Sequence, residues 1–377
     1  MIKLIKNIYI YAPENIGIKD ILIVGDKISK ISDFIKPFDQ AEIIDGSQLI
    51  LTPGFIDQHV HITGGGGEGG FTTRVPEVQL SELTSCGITT VVGLLGTDVY
   101  TRNIENLLAK TKALNEEGIT AFCLTGGYRY PSITLTGSVE KDIVFVNEIL
   151  GLKLAISDHR ASYISYEEFK RAATQVRLAS MISNKQGYIH LHMGQDEQSL
   201  NHVYKLLEET SLPIGLFKPT HVQKIYDDAL KFAQMGGMID FTASLNKEPL
   251  LKLSHALQSL PAGHITLSSD ANGSSPKWNE QKEVVGMGVS SPKTLYETIK
   301  ALLEMDRTLE EVLPICTSNV AKSIGQYPNK GVIAENSDAD MIFFNQSLDI
   351  VHVMAKGQFL IENNIIKKTG TFERSSS

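Results

Sequence analysis

Eight times in the middle of this chain a short apolar run is followed by a segment of helical periodicity. The runs are GFIDQHVHI, ITTVVGLLG, TAFCLTGG, LKLAISDH, YIHLHMG, PIGLFKPTH, MIDFTAS and ITLSSDAN. Between them lie VQLSELTSCG, NIENLLAKTKALNEEG, EKDIVFVNEILG, YEEFKRAATQVRLASMI, LNHVYKLLEET, IYDDALKFAQMGG and LLKLSHALQSL, and LYETIKALLEMD follows the last run. Near-continuous apolar strands alternating with helices belong in a parallel sheet covered on both faces. Eight such units in about 270 residues fit a (β/α)8 TIM-like barrel, whose usual size is about 250. A doubly wound open sheet is the rival. The eight regular units, and the lack of a strand-linked G-x-G-x-x-G, count against it.

The ends of the chain have a different style. ILIVGDKISKISD alternates around a Gly-Asp turn as a hairpin does, and AEIIDGSQLILTPGF leads through Pro53-Gly54 into the first buried run. DADMIFFNQ, DIVHVMAKG and QFLIENNIIKKTG are again short strands separated by turns. The expected organisation is α/β: a small β-sandwich domain built from 1–52 and 326–377, and a barrel over 53–325. The polar ERSSS terminus is expected to fray.

A barrel of this kind carries its active site at the C-terminal ends of the strands, and the polar residues collect there. His59 and His61 end strand one. Lys153 lies in strand four, closed by Asp158, His159 and Arg160. His190 and His192 end strand five, His221 strand six and Asp270 strand eight. One histidine on a strand is ordinarily structural, but residues i and i+2 share a face, so His59 and His61 point together into the mouth. Imidazole and carboxylate donors without thiolates suit zinc or another borderline divalent metal. The set exceeds what one ion needs and suits two ions about 3.5–4 Å apart, which require a bridging anion. Lys153 admits two readings. It can snorkel outward between helices. Or, buried and neutral, it can capture carbon dioxide as a carbamate and supply the bridge.

The H-x-H of strand one, Lys153, His192, His221 and Asp270, a β-domain from both termini and the closing GVIAENSDADMIFF together resemble the amidohydrolase superfamily. HVHITGGGGEGG, LLGTD, TGGYRYP, LKLAISDHR, PTHV and SSDANGSSP resemble, more narrowly, its isoaspartyl (β-aspartyl) dipeptidase family, over essentially the whole chain. The resemblance implies two divalent ions, read as Zn2+. His59 and His61 hold one, His192 and His221 the other, carboxylated Lys153 bridges them, and Asp270 binds the first. His190 competes with His192, which lies nearer the strand end. The resemblance further implies that a metal-bridging hydroxide attacks the β-aspartyl peptide bond of a dipeptide. Asp270 acts as general base and then acid, and Tyr128 polarises the carbonyl.

The β-aspartyl residue keeps its α-ammonium and α-carboxylate, so the site has to read a cation and an anion. The family analogy gives Glu68 the ammonium and Gly66 a backbone contact, glycine allowing close approach. Arg160, with Thr97 and Ser274, takes the carboxylate. A lid hinge is the plainer reading of the glycines; a phosphate loop lacks its Gly-Lys-Ser/Thr. Where the family has an arginine after PTHV, this chain has Lys224, which either assists Arg160 or is a solvated residue opening a helix.

Two alternatives stand beside this reading: a cyclic amidase of the dihydroorotase or hydantoinase kind, and a non-catalytic scaffold homologue. Dihydroorotate has no ammonium for Glu68. A net charge of -8, without basic clusters, argues against nucleic acid. No apolar run approaches the ~18 residues of a membrane span, and three scattered cysteines point to a reducing, cytoplasmic setting. The family resemblance suggests a higher homo-oligomer such as an octamer.

Overall fold

The structure, a computed structural model, describes residues 1–281 and 283–373. The expected fraying of the terminus beyond Glu373 lies outside the described residues. Eight parallel strands form the barrel: β6 (Phe55–Val60), β7 (Ile88–Gly93), β8 (Thr120–Gly126), β9 (Ile149–Ile156), β10 (Tyr188–Met193), β11 (Phe217–Thr220), β12 (Ile239–Thr242) and β13 (Ile265–Ser268). They pair in chain order from β6 to β13. A bridge between Val60 and Ala271 then joins the first strand to the segment after the last. β6, β7, β9 and β10 are buried along their whole length. This is why they read as unbroken apolar runs and not as alternating ones.

The helices between them begin and end where their chemistry directs. Asn103 caps Ile104–Glu117 by accepting from the Asn106 amide, and Gly118 closes it in the left-handed region. Ser165 and Glu168 make a capping box on Tyr166–Ser183. The helical reading of EKDIVFVNEILG overruns the helix, which spans Val139–Phe145. Ile149 already opens β9 and pairs with Cys123 of β8, so backbone partners across the sheet take what the periodicity assigned to a helix.

The terminal strands are β1 (Ile2–Tyr11), β2 (Asn15–Val24), β3 (Lys27–Ser32), β4 (Glu42–Asp45), β5 (Ile50–Pro53), β16 (Met341–Phe344), β17 (Ile350–Ala355), β18 (Gln358–Glu362) and β19 (Ile365–Ile366). They form one nine-stranded sheet in which β5 lies between β1 and β16. Its core joins Ile5, Ile8 and Ile21 from the beginning of the chain to Met341, Phe343 and Met354 from its end. The chain steps from this sheet into the barrel at Gly54, where a Cβ would lie 2.2 Å from the Thr89 hydroxyl. A further hairpin, β14 (Ser274–Trp278) with β15 (Val284–Val289), follows the eighth barrel strand and contributes to the mouth. No helix among the described residues is long and apolar enough to cross a membrane.

Candidate active site

The C-terminal mouth holds a cavity of about 660 Å3, walled by residues from all of the sequence segments named for it. Asp270 is at its floor, with Oδ1 3.2 Å from Nε2 of both His59 and His61. The rings of His59 and His61 are 5.5 Å apart, those of His59 and His221 5.1 Å, and those of His192 and His221 4.5 Å. His61 lies just past the end of β6, tied to the Ala271 carbonyl through its own N–H. His221 and Asp270 also sit one or two residues beyond their strands. Both have left-handed backbones, with φ of 60° and 55°. For a residue other than glycine that conformation costs roughly 1–2 kcal/mol, and it is typical of positions where the surrounding fold enforces a functional orientation.

Lys153 does not reach outward. It is fully buried inside the barrel, opposite His190 on β10 and Gly126 on β8. Its amine has no hydrogen-bond partner, and burial pushes its pKa down to about 7. Burial likewise holds His59, His190, His192 and His221 well below the usual histidine range. They are therefore neutral imidazoles, the form that ligates metals.

The donor set fits a metal. His59 Nε2, His61 Nδ1 and Lys153 Nζ are buried polar atoms without hydrogen-bond partners, and ligand atoms of His59, His221 and Asp270 come within 4.8 Å of one another. His59, His190 and Asp240 make a second such group. There the Asp240 carboxylate already accepts from Gln58, Thr266, Thr220 and Ser268, so hydrogen bonds occupy what an ion would need. His190 lies one layer deeper than His192 and faces His59 at 3.0 Å. His192 sits at the cavity wall between the Tyr128 hydroxyl, 2.6 Å from Nδ1, and Asp158, 2.9 Å from Nε2. Burial raises the Tyr128 pKa well above its ordinary value, so the phenol keeps its proton and remains a donor.

The charged anchors meet beside His192, whose Nε2 lies 3.4 Å from the Arg160 guanidinium. Arg160 donates twice to Asp158, at 3.0 and 2.9 Å, and contacts Glu68 at 3.3 Å. Thr97 and Ser274 donate to the Glu68 oxygen that Arg160 contacts, at 3.1 and 2.8 Å. The glycine run bends this loop back on itself. At Gly64 and Gly66, φ is 77° and 83°, and a Cβ would fall 1.9 and 2.2 Å from the carbonyls of Val75 and Thr73. Lys224, exposed at the rim, reaches to 3.4 Å from the Met193 carbonyl.

Two further residues are of consequence: Asp158, placed at the mouth by sequence but given no role, and Arg102, which carries no motif. Asp158 holds both Arg160 and His192, and these contacts draw its carboxyl far below the ordinary range despite burial. Arg102, buried ahead of its helix, donates to the carbonyls of Thr63, Gly65 and Val75 and so clamps the glycine loop from beneath. Its only sequence signal is an arginine two residues before a helix start, which is common for ion pairs.

An eight-stranded barrel with imidazoles, a buried lysine and an aspartate gathered at its mouth, and a second sheet from both termini, defines the amidohydrolase class. The amidohydrolase family model matches residues 238–360. The chain belongs to the β-aspartyl dipeptidase family within that class. It is 41% identical to the β-aspartyl dipeptidase of Fervidobacterium islandicum AW-1, whose crystal structure holds β-Asp-Leu, with a TM-score of 0.95 over 99% of this chain and 100% of that one. A dihydroorotase from Streptococcus thermophilus is 25% identical over 86% of this chain and 85% of its own length. One from Clostridium acetobutylicum is 32% identical over 33% of this chain and 30% of its own. The D-hydantoinase of a Thermus species shares the fold, at 16% identity and a TM-score of 0.71 over 98% of each chain.

Proposed function

We propose that this protein hydrolyses the β-aspartyl peptide bond of dipeptides with two divalent metal ions. The observation that carries this reading is the contact between Glu68 and Arg160 on one wall of the metal-ligand cavity. An α-amino acid head group bears an ammonium and a carboxylate, and the pair offers one complement to each. In a β-aspartyl dipeptide the scissile carbonyl belongs to the side chain, so that head group is intact a few bonds from the reacting carbon. In the α-linked isomer the α-carboxylate has become the peptide bond. Substrate binding then exchanges an internal ion pair for two intermolecular ones, a replacement without change of net charge.

In this reading His59, His61, Lys153, His192, His221 and Asp270 hold the metals, with Lys153 as a carbamate bridge. Zinc is the ion we infer for such donors. When bound, the ions supply an activated water and a polarised carbonyl. Asp270 takes the proton released on attack and returns it to the leaving amine. Tyr128 donates to the oxyanion. Gly66 presents its backbone to the substrate, and Thr97 and Ser274 hold Glu68 in place for the ammonium. The buried, unpaired Cys86, Cys123 and Cys316 are in line with a cytoplasmic protein, and we infer a homo-oligomer from the family.

The test is hydrolysis of β-Asp-Leu beside α-Asp-Leu and dihydroorotate. β-Asp-Leu is expected to be cleaved far faster than either. Equal rates on the two isomers would exclude the head-group reading. Dihydroorotate as the best substrate would establish the cyclic-amidase reading, which the dihydroorotase relatives favour but which leaves Glu68 without a partner.

Lys224 supplies a separate expectation. It lines the same cavity as Arg160 but offers a point charge where an arginine would offer a planar fork. Lys224→Ala is expected to raise KM for β-Asp-Leu well beyond any fall in kcat, as loss of uniform binding does, and Lys224→Arg to retain activity. An unchanged KM in the alanine variant would make Lys224 a solvated rim residue.

A further inference from the structure

The two nitrogens of His59 face different surroundings. Nε2 faces the mouth, 3.2 Å from Asp270. Nδ1 faces down the barrel, 3.2 Å from the Thr220 hydroxyl and 3.0 Å from His190 Nε2. Thr220, on the neighbouring face of β11, donates in turn to Asp240 Oδ2 at 2.7 Å. Three further donors close on the same carboxylate: Ser268 at 2.6 Å, Gln58 at 2.7 Å and Thr266 at 2.8 Å. Asp240 and its four donors are buried. A carboxylate met by four donors acts only as an acceptor.

The Thr220 hydroxyl has one proton and gives it to Asp240, so toward His59 its oxygen can only accept. With Nδ1 donating to that oxygen, the His59 Nε2 lone pair points into the mouth. The opposite arrangement, His190 donating to His59 Nδ1, would place the proton on Nε2 and turn the lone pair away from a metal. His221 also meets a threonine, with Nδ1 2.6 Å from the Thr242 hydroxyl.

We infer that Thr220, backed by Asp240, is a positioning residue that sets the tautomer and ring orientation of His59 for metal binding. The inference rests on the proposed role of His59 as a ligand. Outer partners of metal-bound histidines typically change metal affinity about 10–100-fold when lost. Thr220→Val keeps the shape and removes the hydroxyl; Thr220→Ser keeps the hydroxyl.

The experiment measures zinc affinity of the full-length metal-free proteins by competition with a chromophoric chelator, with thermal melting of the same samples to establish folding. Thr220→Val is expected to bind zinc about 10–100-fold more weakly, and Thr220→Ser to remain within about threefold of the parent. Parent affinity in folded Thr220→Val overturns the inference. So does an equal loss in both variants, which would mean that packing and not the hydroxyl matters. If Thr220→Val does not fold, Asp240→Asn decides: weakened zinc binding supports the chain of hydrogen bonds, and parent affinity overturns it. His59→Ala separates the two levels. If it loses zinc while Thr220→Val does not, only this inference fails; if it keeps zinc at parent affinity, the ligand reading itself fails.

Discussion

A Lys153→Ala protein is expected to lose most of its bound metal and nearly all of its hydrolytic activity. A small carboxylic acid such as acetate, added in excess, is expected to restore part of both. The amine is fully buried, has no hydrogen-bond partner and has a pKa pushed down to about 7. No carboxylate pairs with it, so it makes little sense as a structural cation. In the proposed reading the free amine attacks carbon dioxide: the N–C bond forms, one N–H proton leaves to solvent, and a carbamate anion remains. Because the reacting form is the neutral amine, labelled bicarbonate should enter metal-free protein more readily at pH 8, above the lysine's pKa, than at pH 6, below it. The check is metal analysis with β-Asp-Leu kinetics on the variant, with and without acetate. Full activity without additive would remove Lys153 from the bridge.

Asp270→Asn is expected to bind β-Asp-Leu and hydrolyse it about 10²–10⁴-fold more slowly, the usual share of a general acid–base group. The substitution is a fair one on this backbone. Asp270 sits at φ 55°, and asparagine is among the few residues that accept that region readily. The amide keeps the volume and one oxygen, but it cannot take up the proton and deliver it to the leaving amine. Metal content has to be measured alongside, since Asp270 lies 3.2 Å from both His59 and His61. A fall of less than tenfold with metal retained would take the base role from Asp270.

The barrel could be read from the sequence because strands buried on both faces leave continuous apolar runs, and helices leave caps and a 3.6-residue period. Where two signals overlapped, at EKDIVFVNEILG, the helix period overran a strand whose partner is 26 residues earlier, at Cys123. The metal candidates could be read because histidine and lysine are conspicuous inside apolar runs. Their partners could not. Asp158, Thr220 and Asp240 are ordinary residues in or just past strands; pairing of β9 with β10 brings Asp158 to His192, and only closure of the sheet brings Thr220 to His59. Thr97 and Ser274, expected to assist Arg160, share Glu68 Oε1 with it as donors. Which of two neighbouring charges a hydroxyl serves depends on differences of an ångström that no spacing encodes. The β14–β15 hairpin left no trace in the reading either, because exposed strands beside a mouth carry neither a buried run nor clean alternation.

The sheet that joins both ends of the chain has a consequence for how the molecule is made. β5 finds one neighbour in β1, which precedes it, and the other in β16, which begins at Met341. During synthesis that second edge stays open while roughly 290 residues emerge, about 15–60 s at ~5–20 residues per second. The barrel strands pair in chain order, and the open edge of β6 waits only as far as Ala271. For that interval the nascent molecule is a maturing barrel beside an unfinished sheet with an unpaired edge, the kind of template on which a neighbouring nascent copy can pair. Completion of this sheet is therefore an event of β16 to β19, after every barrel strand has emerged.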